Sequence, residues 1–313
     1  MINLFSFENY IIDTSRFSNI LHDKIVTEFE NKFAEYVGAK YACGINSATN
    51  AIFLTFQDKA INVKIPSMIP PVVANAVITN NHNLIHFDDN THWIGHPYIL
   101  HQFDNYKIID SAQHVEKNQF KNTANNNDII IFSFYPTKPI SSCDGGMIVS
   151  NDKDKIDWYR QAVHNGTTTN INSWERTIKF PGFKMYLNSI QAYIASINLD
   201  NYEEKLEKLQ CIKEYYNNNL NYNNDSNHLY IIQVNNNKKF IKDMYSNGIQ
   251  CGIHYPPLHL NSVYNKYNMN NKSLPVTESI MNNIVSIPYH YNLTLKEISY
   301  VCKKIELYNR TTR

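Results

Sequence analysis

At four places a short apolar run ends in side chains that could do chemistry. The run Ile129 to Phe134 leads into Tyr135-Pro136-Thr137-Lys138-Pro139. Lysine is seldom buried without a partner. If the turn keeps Lys138 inside, burial favours its neutral amine, the form that attacks carbonyls; the alternative is a surface lysine in a loop. Asp110 follows the run Lys107 to Ile109 and precedes Ser111-Ala112-Gln113. A carboxylate there could pair with a cationic ring nitrogen, or simply cap a helix. The run Tyr41 to Ile45 opens into Asn46-Ser47-Ala48-Thr49 and a helical pattern. Free N–H groups at a helix start, with two hydroxyls, suit a phosphate; an ordinary N-cap has the same residues. The fourth place, Cys143-Asp144-Gly145-Gly146-Met147, reads as a tight turn into a strand over Met147 to Ser150. His254 and His259 flank Tyr255-Pro256-Pro257. No metal-ligand spacing, P-loop, dinucleotide fingerprint or nucleophile elbow occurs.

These residues need strands to hold them. Candidate strands are Tyr41 to Ile45, Val63 to Ile65, Leu84 to Phe87, Lys107 to Ile109 and Ile129 to Phe134, separated by helical patterns over Ile25 to Val37, Thr49 to Phe56, Pro71 to Asn80 and Lys153 to Val163. The run Ile-Ile-Ile-Phe-Ser-Phe is apolar on both faces, as in a parallel sheet covered by helices. Strand–helix alternation predicts an open α/β sheet, whose ligands sit at the carboxyl ends of strands. A long helical stretch spans Leu187 to Leu220. Beyond it, strands at Leu229 to Val234 and Gly252 to Tyr255 mix with helices at Lys238 to Ser246 and Leu295 to Leu307. The expected division is a large domain, 1–200, and a small α+β domain, 201–313.

Bulk properties exclude other classes. The chain has 313 residues, 29 basic against 28 acidic, and a formal charge of +1, so nucleic acid or a membrane surface has no electrostatic claim on it. Its length suits two domains at about 100–200 residues each. The five cysteines are an odd number without C-x-x-C spacing, which argues against a disulfide framework or structural zinc and for a reducing cytoplasm. Residues 1–10 do not read as a signal peptide, and no apolar run approaches the roughly 18–20 residues that span a bilayer.

The ordered set of motifs resembles the DegT-type nucleotide-sugar aminotransferases, a branch of the fold-type-I enzymes dependent on pyridoxal phosphate (PLP). Asn46-Ser47-Ala48-Thr49-Asn50-Ala51-Ile52 is similar to that family's S-G-T-x-A-L turn, and Ile109-Asp110-Ser111-Ala112-Gln113 to its E-D-A-A-Q segment. Phe132 to Lys138 matches S-F-x-x-x-K, and Asp144-Gly145-Gly146 matches G-E-G-G. Gly182-Phe183-Lys184 to Gln191-Ala192, Leu274 to Glu278 and Ser286-Ile287-Pro288 also fit. The resemblance implies a mixed, mostly parallel central sheet flanked by helices. It implies that Lys138 joins PLP covalently and acts as base, that Asp110 holds the pyridinium nitrogen, and that Gln113 touches the ring hydroxyl. Ser47, Ala48 and Ser133 would hold the phosphate. The implied reaction moves an amino group from glutamate to a nucleotide-linked keto-sugar, commonly a 4-keto-6-deoxyhexose, in a homodimer with shared sites. Tyr135, His254 and His259 are the candidates for sugar contacts.

The chain departs from the family pattern in three ways. Pro70 stands where an aromatic residue usually stacks on the cofactor ring. Lys184 and Tyr186 occupy the two usual places of an asparagine that crosses the dimer to the phosphate, and Lys184 could supply a charge there instead. The stretch from Asp89 to Asp110 is short, so one strand–helix unit is expected to be missing or reduced. Two other readings compete: a catalytically silent PLP-binding relative, and the family's sugar dehydratases, whose histidine in place of the lysine is not matched by Lys138.

Overall fold

The protein is described by a computed structural model covering residues 1–57, 61–80, 84–89, 91, 94–168, 173–268 and 272–311. The strands are β1 (Tyr41–Ile45), β2 (Asn62–Pro66), β3 (Leu84–Asp88), β4 (Tyr98–Gln102), β5 (Lys107–Asp110), β6 (Ile129–Ser133), β7 (Gly146–Ser150), β8 (Tyr230–Gln233) and β9 (Ile284–Ile287). The helices of the first half are α1 (Lys24–Val37), α2 (Ala48–Thr55), α3 (Pro71–Ile78), α4 (Gln119–Thr123) and α5 (Lys153–Ala162). Those of the second half are α6 (Ser189–Asp200), α7 (Tyr202–Leu220), α8 (Asn237–Ser246), α9 (Ser262–Asn265), α10 (Pro275–Ile280) and α11 (Leu295–Thr311).

The central sheet has the order β1-β7-β6-β5-β4. Strand β6 pairs in parallel with β5 and antiparallel with β7; β1 and β7, and β4 and β5, are antiparallel. Three of the five strands, β1, β6 and β5, therefore run one way, and the expected mixed α/β sheet is present. Strands β2 and β3 form a separate parallel pair. The doubly apolar β6 has a simple cause. Successive side chains alternate faces, so Ile129 and Ile131 enter one core with Ile45, Ala51, Ile148 and Ile156. Ile130, Phe132 and the following Phe134 enter another with Phe29, Phe33 and Leu199. There the Phe33 ring lies edge-on to Phe132 at 5.0 Å and to Phe134 at 5.3 Å, an arrangement aromatic quadrupoles favour.

A third core joins α7, α8 and α11 to the β8–β9 pair through Tyr216, Tyr230, Phe240, Val285 and Val301. Two expectations change here. The helical stretch 187–220 breaks at Asn201, and α6 starts with a capping box in which Asn188 and Gln191 satisfy each other's backbone amides. Residues 252–255 are not a strand; Gly252 makes one bridge to Ser286, and β9 pairs with β8 instead. Pro256 and Pro257 follow at once and offer no N–H to extend a ladder. Between β3 and β5 the described residues contain β4 and no helix. The reduction expected there leaves one antiparallel strand.

Strand β1 is tied down by a buried carboxylate. Glu30 on α1 accepts from the Gly44 amide at 2.7 Å and from Arg160 of α5 at 3.2 Å, while Arg160 also donates to the Ala42 carbonyl at 2.7 Å. Burial pushes the Glu30 carboxyl up, and Arg160 opposes that shift. Removing the cation would strand this charge. Arg160→Met is expected to cost about 3 kcal/mol, the low end for breaking a buried pair, because the guanidinium side chain is 27% exposed. Denaturant unfolding of the variant against the parent measures it.

Candidate active site

Strands β1, β5 and β6 deliver their carboxyl ends to one edge of the sheet. A cavity of about 450 Å³ opens there. Among the candidate residues, Ser47, Ala48, Asp110, Gln113, Ser133, Tyr135 and Lys138 all line it. Residues more than ninety positions apart in sequence are thus brought together.

The start of α2 forms one wall. The Ser47 hydroxyl accepts from the Asn50 amide at 3.2 Å, so the N-cap reading is correct, and the same residue faces the cavity with Ala48 and Thr49. A phosphate placed there would meet free N–H groups and the positive end of the helix dipole. Gly146 makes this approach possible: a Cβ on it would lie 2.8 Å from the Ala48 nitrogen and 2.9 Å from the Phe132 carbonyl.

Asp110 lies at the end of β5 and is only 5% exposed. Burial pushes its carboxyl up. Three groups pull it back: the Ala112 amide donating at 2.9 Å, the Tyr98 hydroxyl donating at 3.0 Å, and the charge of Lys138. Lys138 sits in the turn after β6. Its side chain keeps some accessible surface because it opens into the cavity. Burial lowers the ammonium pKa to about 8 against the opposing pull of Asp110. A neutral amine is therefore reachable near neutral pH, which a carbonyl-attacking lysine needs.

Gln113 is held at both ends. Its Oε1 accepts from the Gly95 amide at 2.7 Å, and its Nε2 donates to the Tyr255 hydroxyl at 3.1 Å. Tyr255 lines the cavity, and burial with the neighbouring Asp110 charge pushes its phenol up, so it stays protonated. The sequence pattern points to the flanking histidines, and nothing in it marks this tyrosine. His254 lies behind the wall, its Nδ1 at 2.8 Å from the Ser286 hydroxyl, with burial and Lys138 lowering its pKa to about 4. His259 is not among the residues lining the cavity; it is buried, with Nδ1 at 2.6 Å from the Ser67 hydroxyl and Nε2 at 3.4 Å from Glu278. Both ring nitrogens are engaged, and the residue is a structural tie.

Tyr135 is 52% exposed at the cavity mouth. Lys184 is exposed, in a bridge with His164, and outside the cavity of its own chain. Pro70 lines the cavity, as does Val73; so do His96 and Tyr98, which no sequence signal singled out. Among the described residues, no group of three or more His, Cys, Asp or Glu could hold a metal, and no helix is long and apolar enough to cross a membrane. The donor set suits PLP: an amine for the aldehyde, a buried carboxylate for the ring nitrogen, an amide for the ring hydroxyl, and a helix start with hydroxyls for the phosphate.

Known proteins resemble this chain in sequence and in fold. A UDP-4-amino-4,6-dideoxy-N-acetyl-beta-L-altrosamine transaminase of Campylobacter jejuni is 25% identical, over 92% of each chain. GDP-perosamine synthase of Escherichia coli O157:H7 is 22% identical, over 90% of this chain and 89% of its own. Among solved structures, the aminotransferase TlmJ from Streptoalloteichus hindustanus matches with a TM-score of 0.80 at 19% identity, over 100% of both chains. The PLP-form of Streptococcus pneumoniae Spr1654 matches at 0.79 and 18%, over 99% of both. These structures share the fold. The profile of the DegT/DnrJ/EryC1/StrS aminotransferase family matches residues 6–94 and 74–306. With that match spanning nearly its whole length, the chain belongs to the DegT/DnrJ/EryC1/StrS aminotransferase family.

Proposed function

We propose that this chain is a PLP-dependent transaminase that moves an amino group from L-glutamate to a keto-sugar carried on a nucleotide, with a 4-keto-6-deoxyhexose as the preferred sugar. The observation that carries the proposal is Lys138 and Asp110 facing one cavity, each buried enough to shift its proton affinity and each pulling the other back. The curated relatives named for 4-amino-4,6-dideoxy sugars and for perosamine support the sugar class. Their UDP and GDP differ, so no one nucleotide is favoured.

PLP, when bound, supplies an electron sink for charge developing on the substrate carbon. The residues do the rest. Asp110, held by two donors, would face the ring nitrogen. Gln113, braced at both ends, would face the ring hydroxyl. Ser47, Ala48 and Ser133 would hold the phosphate near the start of α2. Lys138 Nζ, once free and neutral, takes a proton from the donor carbon and returns one to the sugar carbon. Tyr135, at the mouth, is placed to meet the sugar, with His254 as a support behind the wall. A homodimer with shared sites belongs to this reading: Trp174 and Ile178 expose 80% and 77% of their surface in the stretch before Lys184, and buried apolar pairs at interfaces favour association. So do a cytoplasmic location and the division into 1–200 and 201–313, the latter supported by the separate core around Tyr216 and Phe240.

Three measurements test this. Uptake of PLP by the apoprotein, followed by the absorbance of lysine-bound cofactor, is expected to speed up about tenfold per pH unit below the Lys138 pKa and to level off above about 8. The sign follows from the amine: its reactive form appears as the proton leaves. Single-turnover mixing of the holoprotein with glutamate should convert the cofactor to its amino form. A panel of UDP- and GDP-linked 4-keto-6-deoxyhexoses should then yield at least one amino sugar. Lys138→Ala should reduce this by about 10³-fold or more, the range of a lost general base. If no amino acid converts the cofactor, the transaminase proposal fails and a silent PLP-binding relative remains.

A further inference from the structure

The segment between β3 and β5 brings groups to the site as well as linking the two strands. Strand β4 is antiparallel to β5, so it begins where β5 ends. Its first residue, Tyr98, is therefore directly opposite Asp110 in the ladder. Residues opposite each other in an antiparallel pair point to the same face. The Tyr98 hydroxyl donates to Asp110 Oδ2 at 3.0 Å, and the Ala112 amide donates to Oδ1 at 2.9 Å. The same segment sends the Gly95 amide to Gln113 Oε1 at 2.7 Å. Gly95 has a φ of +85°, and a Cβ on it would lie 2.3 Å from the Ser226 hydroxyl oxygen, so no other residue fits there without displacement.

We propose that Tyr98 is a positioning residue for the site's carboxylate: its phenol, delivered by the antiparallel β4, keeps Asp110 ionised and aimed at the ring nitrogen of a B6 cofactor. The proposal rests on reading the cavity as a PLP site. Its physical basis is that a buried carboxylate needs donors to remain charged, and charge-assisted hydrogen bonds are roughly twice as strong as neutral ones. Four groups face Asp110: Tyr98 from β4, the Ala112 amide from the turn after β5, Lys138 from the turn after β6, and Tyr255 from the second half of the chain. Tyr98 itself is held protonated by burial and by Asp110. Of the two tyrosines, it is Tyr98 that donates to Asp110; Tyr255 accepts from Gln113.

Pyridoxamine phosphate is the suitable probe, because its binding requires no bond to Lys138. Its affinity is measured by calorimetry across acidic and neutral pH for the full chain, Tyr98→Phe and Ile99→Ala. Ile99 is its exposed neighbour on β4, so its truncation disturbs the strand without touching the phenol. Affinity should fall on acidification as Asp110 takes up a proton. In Tyr98→Phe the carboxyl loses a donor and its pKa rises, so the fall should occur about one pH unit higher, with binding about tenfold weaker between the two midpoints. Ile99→Ala should keep the parent midpoint. Coincident midpoints for Tyr98→Phe and the parent overturn the proposal. So does an equal shift in Ile99→Ala, which would trace the effect to strand stability. If the unaltered chain binds no pyridoxamine phosphate at any pH, the PLP reading falls, and Tyr98 with it; that result is distinct from the other two.

Discussion

Everything in this molecule is arranged around a cation and an anion that share one cavity. Burial lowers the proton affinity of Lys138 and raises that of Asp110, because it penalises whichever form is charged. Together each resists the other's neutralisation, and Lys138 comes to rest near 8 instead of its usual value. The arrangement depends on β5 and β6 being parallel neighbours, with Ile109 beside Ile130 and Asp110 beside Ile131. Their carboxyl ends then open at the same edge.

Holding two such groups in a cleft demands a stiff sheet beneath them. Strand β6 is buried on both faces and feeds two cores at once. Antiparallel β7 runs beside it, and Gly146 lets that strand pass close under the start of α2. The Glu30–Arg160 tie fixes β1, which ends at Ile45, two residues before the Ser47 cap of α2. The cavity-lining side chains Ser47, Asp110 and Ser133 thus stand at strand ends and a helix start, where backbone geometry leaves them little freedom, and preorganisation of this kind is what electrostatic catalysis requires.

The connection between β3 and β5 shapes one wall of the cavity. A parallel strand would carry its first residue to the far edge of the sheet; an antiparallel one carries it to the cavity. That change of direction brings Gly95, His96 and Tyr98 to the site together. Pro70, at the start of α3, lines the same cavity. The site's carboxylate and amide are both braced by polar groups of this connection.

Much of this was legible in the sequence. The strand runs at Tyr41, Lys107 and Ile129 are short, apolar and bounded by polar turns, so local pattern alone located them and the residues that follow, Ser47, Asp110 and Lys138. Helix spacing located α1, α2, α3 and α5 within a few residues. Contacts between distant segments were not legible. Strand β4 carries a single fully buried residue, Leu100, and no alternation strong enough to announce it. Tyr98 reaches Asp110 only through a register set by tertiary pairing, and Tyr255 reaches Gln113 across 142 positions. His259 has the composition of a site residue, yet Ser67 and Glu278 engage both its nitrogens from elsewhere in the fold. Local periodicity determines which residues end a strand; only chain direction and packing decide which of those ends meet.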